Sequence, residues 1–316
     1  YVACRLGLPN DGLAAAQFTT NKRWMRERSL AAGIVQPEFR PCRSLEEAEA
    51  AVGALGLPVV IKPVDNRGAF GVTIVHAAGE LAESCYHAVM HAHSREVLVE
   101  RFVEGTHVTV DGCADAQGAH HNLAVASKTT IAGNKPVINE VVYPAEMPAG
   151  ARDAVLEANS RVVRALGIRG GLTHSEYIVD RHGRPRLVEI ANRGGGVLTS
   201  ALIVPIVSGV DVLANLVSAA LGEPFPVAPT PSTGVVMLRF FLFAPGRVKA
   251  IHGLEDASRI AGVAHVRLVI KPGDVLTPPD SAGGRHGFAI LSGPDRAAID
   301  RLLAEVVGAI KISYEG

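Results

Sequence analysis

One predicted β-hairpin constrains this chain most, because it would place two glutamates side by side. The segments Leu172–Val179 and Pro185–Ala191 alternate in the manner of β-strands. A two-residue turn at His182–Gly183 would set Glu176 directly opposite Glu189, where side chains share a face with their Cβ atoms about 5 Å apart. Opposed carboxylates repel each other, and a divalent cation removes the repulsion. The hairpin therefore indicates a Mg²⁺ site, with a solvated hairpin that carries scattered charges as the alternative.

The residues that follow this hairpin suit an anion. Arg193 comes four positions after Glu189, on the same predicted face, and a guanidinium there could bind phosphate or a developing oxyanion. Gly194 and Gly195 come next, and glycines let backbone amides approach an anion closely. A flexible turn is the alternative interpretation of the glycines.

A lysine at the end of a buried strand needs an anionic partner, and Lys62 ends the apolar segment Val59–Lys62. The loop that follows contains Gly68 and Gly71. It is not a P-loop, because no Gly-Lys-Ser/Thr sequence follows, so it is either a loop that closes over phosphates or a simple hairpin loop. Farther along, the strand Val97–Phe102 runs into a glycine break, and such an edge could offer its backbone to an adenine.

The periodicity alternates between helix and strand along the chain, which predicts an α/β fold. Four prolines within Glu223–Ser232 mark a linker, so we place a domain boundary near residue 228. Helices are predicted at Thr20–Ala32 (capped near Thr19 or Thr20), Ser44–Leu55, Glu80–His93, Ala149–Leu166, Asp211–Leu221 and Asp295–Ile310. Further strands are predicted at Val72–Val75, Val108–Ala114, Leu123–Lys128, Val137–Tyr143, Val235–Phe243, Val266–Ile270 and Gly287–Ser292.

Composition and charge narrow the class of protein. The 316 residues carry 31 basic and 31 acidic side chains, so the net charge gives no argument for a nucleic acid or a membrane as partner. None of the four cysteines has the spacing of a metal site or a CxxC motif, which suits a reducing cytosol. We expect a cytoplasmic protein that acts on small molecules, and a homodimer is left open.

Four separated segments together resemble the ATP-grasp enzymes, in the same order and with similar spacing. The resemblance covers roughly residues 1–225. The segments are Thr20-Asn-Lys22, Val60-Ile-Lys62-Pro63, Val99-Glu-Arg-Phe-Val-Glu-Gly105, and Glu176 together with Glu189-Ile-Ala-Asn-Arg193.

The resemblance implies a role for each matching position, with ATP and Mg²⁺ (or Mn²⁺) as cofactors. Glu176 and Glu189 are similar to the metal ligands, and Glu189 is also implied as a catalytic residue. Arg193 is similar to the catalytic residue that stabilises the acyl phosphate and the tetrahedral intermediate. The residues implied in ATP binding are the phosphate lysines Lys22 and Lys62, the flap glycines Gly68 and Gly71, the adenine hinge Glu100, Arg101, Phe102 and Val103, and the ribose-facing His107.

One departure from the family pattern points to a subfamily. Many members read Glu-x-Asn-x-Arg, with the Asn as a further metal ligand, but Asn192 comes one place late and should point to the other face, which argues against it as a ligand. The resulting Glu-x-Ala-x-Arg pattern, with Thr173-His174-Ser175-Glu176, is similar to L-amino-acid ligases, which make dipeptides. His174, Gly194 and Gly195 are then the implied substrate residues.

The resemblance implies an ATP-grasp fold of α+β lobes followed by a small C-terminal α+β domain. We expect residues 19–228 to form the ATP-grasp domain, with a small nucleotide lobe at about 36–105 and a catalytic lobe at about 106–228, and residues 229–316 to form the C-terminal domain. Residues 1–18 are interpreted as the remnant of an N-terminal α/β domain that is otherwise missing.

The implied activity is that of an ADP-forming carbon–nitrogen ligase. It would activate a carboxylate as an acyl phosphate and join it to an amine, with amino acids as substrates. A bicarbonate-activating enzyme, such as a carboxylase or a carbamoyl-phosphate synthetase subunit, is one alternative. An ATP-binding module without catalytic activity is the other.

Overall fold

The computed structural model describes residues 1–315 apart from residues 132, 134, 135, 149 and 280. Three antiparallel sheets and the helices packed on them make up the described chain. Its helices are α1 (Val2–Arg5), α2 (Gly12–Phe18), α3 (Lys22–Ala31), α4 (Leu45–Leu55), α5 (Leu81–Met90), α6 (Ala151–Ala165), α7 (Val204–Ser208), α8 (Val212–Leu221), α9 (Leu254–Arg259) and α10 (Arg296–Ala309).

The first sheet has four strands in the order β1-β4-β2-β3. Helices α4 and α5 cover one of its faces and bury an apolar core that includes Val59, Ile61, Val97 and Val99. Because these side chains alternate along their strands, the opposite face is left free to form one wall of a cavity. The strands are β1 (Phe39–Cys42), β2 (Val59–Pro63), β3 (Thr73–Val75) and β4 (Val97–Arg101).

The second sheet has eight strands in the order β12-β14-β10-β7-β6-β5-β8-β9. Helix α6 packs on one part of it, and α7 with the preceding π-helical turn Thr199–Ile203 packs on another. The strands are β5 (Thr106–Ala114), β6 (His120–Thr130), β7 (Ile138–Tyr143), β8 (Leu172–Val179), β9 (Pro185–Ala191), β10 (Val235–Phe241), β12 (Val263–Leu268) and β14 (Gly287–Gly293).

This large sheet runs across the proline-rich segment near residue 228. Strand β10 pairs with β7, so that Val236 lies opposite Tyr143 and Arg239 opposite Glu140. The C-terminal region therefore extends the sheet that carries the predicted metal ligands. It adds its own layer through α9, α10 and the small third sheet β13-β11-β15, whose strands are β11 (Gly246–His252), β13 (Val275–Leu276) and β15 (Lys311–Tyr314).

Most predicted elements are present, and their ends differ by a few residues. Ser44 caps α4 as predicted, because its hydroxyl accepts from the Glu47 amide at 3.2 Å. The predicted cap of α3 at Thr19 or Thr20 is wrong: the side chain of Asn21 accepts from the amides of Arg23 and Trp24 instead. The start of the predicted helix at Ala149 lies outside the described residues.

The hairpin of β8 and β9 has the predicted pair but not the predicted turn. Glu176 lies opposite Glu189, yet the loop closes through a hydrogen bond from the Asp180 amide to the Arg184 carbonyl, which leaves three residues in the turn instead of two. A register shift between Glu176 and Tyr177, where β9 contains the extra residue Val188, restores the alignment. The two deviations compensate each other at the glutamates.

No single helix in the described part of the chain has both the length and the apolar character needed to cross a bilayer. The segments Thr199–Ser208 and Val212–Leu221 satisfy those criteria only when counted together, and the pair is bent by 111°.

Candidate active site

A cavity of about 780 Å³ lies between the first sheet, the second sheet and a loop of the C-terminal region. Nearly all the predicted site residues line it. Those in the lining are Lys22, Lys62, Gly68, Glu100, Arg101, Phe102, Val103, His107, His174, Glu176, Glu189, Arg193 and Gly194; Gly71, Asn192 and Gly195 are predicted site residues outside it.

Lys62 is held at the floor of the cavity by a buried ion-pair network. Its Nζ lies 2.7 Å from a carboxylate oxygen of Glu100, whose other oxygen is 2.8 Å from Nε of Arg26. Burial lowers the pKa of Lys62 to about 8, against the opposing effect of Glu100. Burial would by itself raise the pKa of Glu100, but the two cations lower it to about 2. The carboxylate therefore fixes the lysine and leaves its ammonium facing the cavity.

The segment that follows Glu100 has free backbone groups beside apolar walls. The amides of Arg101 and Phe102 donate to the carbonyls of Glu38 and Pro58, whereas no backbone hydrogen bond in the described chain uses the amide of Val103. Strand β4 ends at Arg101, so Val103 lies beyond the sheet. The geometry suits a planar heterocycle that pairs with the backbone. Its apolar neighbours in the cavity wall are Val60, Val72, Ile74, Ile178 and Val188.

Each of the two opposed glutamates forms an ion pair with a lysine. Glu189 lies 3.1 Å from Lys22, and Glu176 lies 2.7 Å from Lys128. Although burial alone would raise the pKa of Glu176, the ammonium of Lys128 is the main cause that holds it well below its usual range. Lys128 was given no role from the sequence. It pairs with Glu176 only because β5 lies between their strands in the sheet, and no local pattern signals that arrangement.

The described residues do not gather three or more His, Cys, Asp or Glu side chains into a metal site. Mg²⁺ that enters with a nucleotide needs only one or two carboxylates, because phosphate oxygens and water complete its coordination. Two carboxylates in register on one strand pair meet that need. Glu176 and Glu189 therefore fit a cation delivered by a polyphosphate and do not form a complete metal site by themselves.

A polar chain extends from Glu176 into the core. Nδ1 of His174 lies 2.7 Å from the buried carboxylate of Asp111, which accepts a hydrogen bond from Tyr143 at 3.0 Å. Nε2 of His174 lies 3.6 Å from Glu176. Burial opposes a charge on this imidazole, but the carboxylates of Asp111 and then Glu176 raise its pKa to about 9. His174 thus faces the site as a cation held in a fixed orientation. Asp111 and Tyr143 are further site residues that the sequence did not reveal.

The glycines after the hairpin allow close packing beneath Arg193. A Cβ on Gly194 would lie 1.9 Å from Oγ of Ser200, and one on Gly195 would lie 3.0 Å from Nδ1 of His174. Arg193 donates to the carbonyl of Gly194 and is otherwise exposed toward the cavity. Asn192 donates to Asp11 at 2.5 Å, so its side chain is engaged away from the glutamates.

The loop that carries Gly68 and Gly71 covers the cavity and meets the C-terminal region. The amide of Ala282 donates to the carbonyl of Gly68 at 3.2 Å. The ring of Phe70 lies so close to Gly283 that a Cβ there would be 3.2 Å from Cζ. Gly68 and Gly71 both have positive φ, which residues with a side chain rarely adopt. The loop that the sequence predicts to be a flap therefore rests on residues 281–284.

Comparison with known proteins agrees with this geometry. The ATP-grasp domain family matches residues 55–201, and the L-amino acid ligase C-terminal domain 2 family matches residues 239–315. The chain contains an ATP-grasp domain. Its two matched segments carry three of the four strands of the first sheet (β2, β3 and β4), the glutamate hairpin and the C-terminal layer of α9, α10 and the third sheet.

Individual relatives of this ATP-grasp chain are ligases or proteins of unassigned role. It is 27% identical over 314 residues to the uncharacterized protein y4rH of Sinorhizobium fredii (strain NBRC 101917 / NGR234), covering 97% of this chain and 64% of that protein. It is 31% identical over 209 residues to a D-alanine–D-alanine ligase of Gloeobacter violaceus (strain ATCC 29082 / PCC 7421), covering 62% of this chain and 66% of that enzyme. The chain therefore spans just under two thirds of the length of these relatives.

Among solved structures, an L-amino acid ligase from Bacillus licheniformis superposes with a TM-score of 0.82. The alignment covers 99% of this ATP-grasp chain and 77% of that one, at 23% sequence identity. At this level of identity the likeness concerns the fold.

Proposed function

We propose that the chain is the catalytic part of an ATP-dependent carboxylate–amine ligase that acts on amino acids. The observation that carries the proposal is the convergence on one cavity of two opposed carboxylates, Glu176 and Glu189, with the cations Lys22, Lys62 and Arg193. Such a set suits phosphoryl transfer, in which positioning and charge neutralisation supply most of the catalysis. The ligase names of the matching families and relatives support the same class.

ATP would lie along the cavity. The adenine would pair with the backbone at Val103, the ribose would face His107, and Lys22 with Lys62 would bind the phosphates. Glu176 and Glu189 would hold Mg²⁺, which supplies charge neutralisation at the phosphates when bound. Lys22 now pairs with Glu189, so nucleotide binding would transfer the lysine to a phosphate and release the carboxylate for the metal.

The proposed reaction has two steps. An oxygen of the substrate carboxylate attacks the γ-phosphorus, the bond to the β,γ-bridging oxygen breaks, and ADP leaves. The amine nitrogen then attacks the acyl carbon, the amine loses its proton, and phosphate departs with one oxygen of the original carboxylate. Arg193 would stabilise the oxyanion that forms between these events. The flap, which contains Phe70, would exclude water, which would otherwise hydrolyse the acyl phosphate.

The test is ADP release by the chain with Mg-ATP, screened against pooled L-amino acids, with mass spectrometry of the products. ADP together with the mass of a condensed product is the expected result. ADP release that requires bicarbonate and no amine would support the carboxylating alternative. ATP binding without release of ADP under any condition would contradict catalysis by this chain.

A further inference from the structure

Arg285 places a guanidinium in the cavity wall from the C-terminal region. It lies between the short 3₁₀ helix Ala282–Gly284 and β14. Its Nε donates to the carbonyl of Ala282 at 2.9 Å, and its central carbon lies 3.6 Å from the centroid of the Phe240 ring. These contacts fix the plane of the guanidinium. In the described chain, neither terminal nitrogen of Arg285 makes a hydrogen bond.

Other partly or fully buried guanidiniums of this chain have anionic partners. Arg26 binds Glu100, and Arg239 and Arg296 share Glu140. No described carboxylate forms an ion pair with Arg285, and burial lowers its pKa to about 10. A desolvated cation without a counter-ion destabilises a protein. A ligand with a negative charge would remove that cost.

The surroundings of Arg285 select the kind of ligand. Each carboxylate in the described lining, Glu100, Glu176 and Glu189, is paired with a lysine. None of the three is therefore available to bind a substrate ammonium. The wall at this end is otherwise largely apolar, and is formed by Ile138, Val141, Val197, Leu238 and Phe240. A ligand with a hydrocarbon segment that ends in a carboxylate matches this wall. The hydrocarbon would contact the apolar side chains, and the carboxylate would bind the guanidinium of Arg285.

We propose that Arg285 binds a substrate carboxylate other than the one that is activated. This inference rests on the proposed ligase function, in which the reacting carboxylate lies beside the γ-phosphate and Arg193. The second carboxylate belongs either to a dicarboxylic donor or to an amino-acid acceptor. Arg285 follows directly on the loop 281–284 that supports the flap, so the residue that recognises the substrate is in place when the flap is closed.

The experiment compares Arg285→Met and Arg285→Lys with the wild-type chain, and Arg267→Met serves as the control because Arg267 is exposed and outside the cavity. Two pairs of probes separate the sources of the carboxylate. Acceptors are L-amino acids against their carboxamides, and donors are succinate and glutarate against their monoamides. Arg285→Met should raise KM roughly ten- to a hundredfold for the carboxylate form of one pair. The KM values for the amide form of that pair and for ATP should change by no more than about twofold. Arg285→Lys should recover part of the loss.

The pair that responds identifies the source of the carboxylate. Equal losses for the acid and amide forms, or a rise in KM for ATP alone, would overturn the assignment and place Arg285 in a structural or phosphate-binding role. Thermal unfolding and Mg-ATP binding verify that each variant is folded, and Arg285→Gln replaces Arg285→Met if the latter is not. A wild-type chain that condenses no acid with any amine would instead refute the ligase function, and the inference with it.

Discussion

At the residue scale, the balance of charge in the cavity depends on lysine–carboxylate pairs. Lys22, Lys62 and Lys128 each contact one glutamate at 3.1 Å or less. These pairs are not equivalent: the side chains of Lys62 and Glu100 are only 5% and 4% exposed, whereas Glu189 keeps 30% of its side chain exposed. Glu189 is therefore free to change partner, and Glu100 is held in place.

Glu189→Gln keeps the shape of the side chain and removes the charge that we assign to the metal. We expect turnover to fall by about 10²- to 10³-fold, the range seen when one charge-stabilising group is removed from a catalytic site, while the thermal unfolding curve stays unchanged. ADP release measures the effect. The control is Glu305→Gln, an exposed position on α10. Near-normal turnover of Glu189→Gln would remove this residue from the mechanism.

The lowered pKa of Lys62 predicts how ATP binding depends on pH. With a pKa of about 8, the ammonium loses its charge as the pH rises through 8, whereas phosphate binding requires the charge. The Kd of ATP should be constant near pH 7 and then increase, approaching about tenfold per pH unit at high pH. Calorimetry between pH 7 and 9.5 measures it. Lys62→Arg stays charged throughout, so the same increase in that variant would assign the pH dependence to another group.

At the scale of elements, the hairpin of β8 and β9 and the loop after it determine the site. The register shift between Glu176 and Tyr177 sets the glutamates opposite each other, and the glycines then let the chain fold back under Arg193. Val197 and Leu198 both have positive φ, which is unfavourable for residues with a branched or bulky side chain. The loop is thus held by its packing on the π-helical turn Thr199–Ile203.

Gly194→Ala tests this packing. Its new methyl group would lie 1.9 Å from Oγ of Ser200 and 2.7 Å from its Cβ, so the loop must shift. We expect the free energy of unfolding to fall by about 1–3 kcal/mol. Gly196→Ala is the matched control, since nothing lies within 4 Å of its new Cβ, and it should change stability by no more than about 0.5 kcal/mol. Equal effects of the two substitutions in chemical denaturation would contradict the close approach at Gly194.

If the flap protects the acyl phosphate, opening it should lower the yield of condensed product per ATP consumed. Phe70→Ala removes the ring that rests on Gly283 and stacks near His91, which should admit water to the acyl phosphate. The ratio of ADP to condensed product should rise severalfold above a wild-type value near unity. Tyr86→Ala, at an exposed position on α5, is the control. A ratio unchanged by Phe70→Ala would show that this ring does not protect the intermediate.

At the scale of the whole molecule, the long antiparallel sheet joins the regions that the sequence separates. Periodicity predicted most strands and helices, since each is a local pattern, and the fold class is confirmed. The strands β1, β11, β13 and β15 were missed because at most one residue of each is buried, which leaves only a weak apolar pattern in the sequence. The domain boundaries stay a prediction, because proline content marks a surface segment and says nothing about pairing between β7 and β10.

The same distinction between local and distant signals explains which site residues could be predicted from the sequence. The glutamate pair was predicted because one hairpin contains both residues, although the turn and the register shift were not foreseen. Lys128, Asp111 and Tyr143 reach the site from strands far apart in sequence, and a single sequence does not report such pairing. Arg285 arrives from still farther along the chain. The predicted roles of the site residues stay predictions until they are measured.

We propose above all that this chain activates a carboxylate by transferring a phosphoryl group to it. The most direct test uses a substrate carboxylate labelled with ¹⁸O, as found in the product screen, with Mg-ATP and the amine. Mass analysis of the released phosphate should find one ¹⁸O atom per phosphate, because the acyl–oxygen bond breaks when the amine attacks. Unlabelled phosphate, or AMP with pyrophosphate in place of ADP, would contradict an acyl phosphate and with it the proposed mechanism.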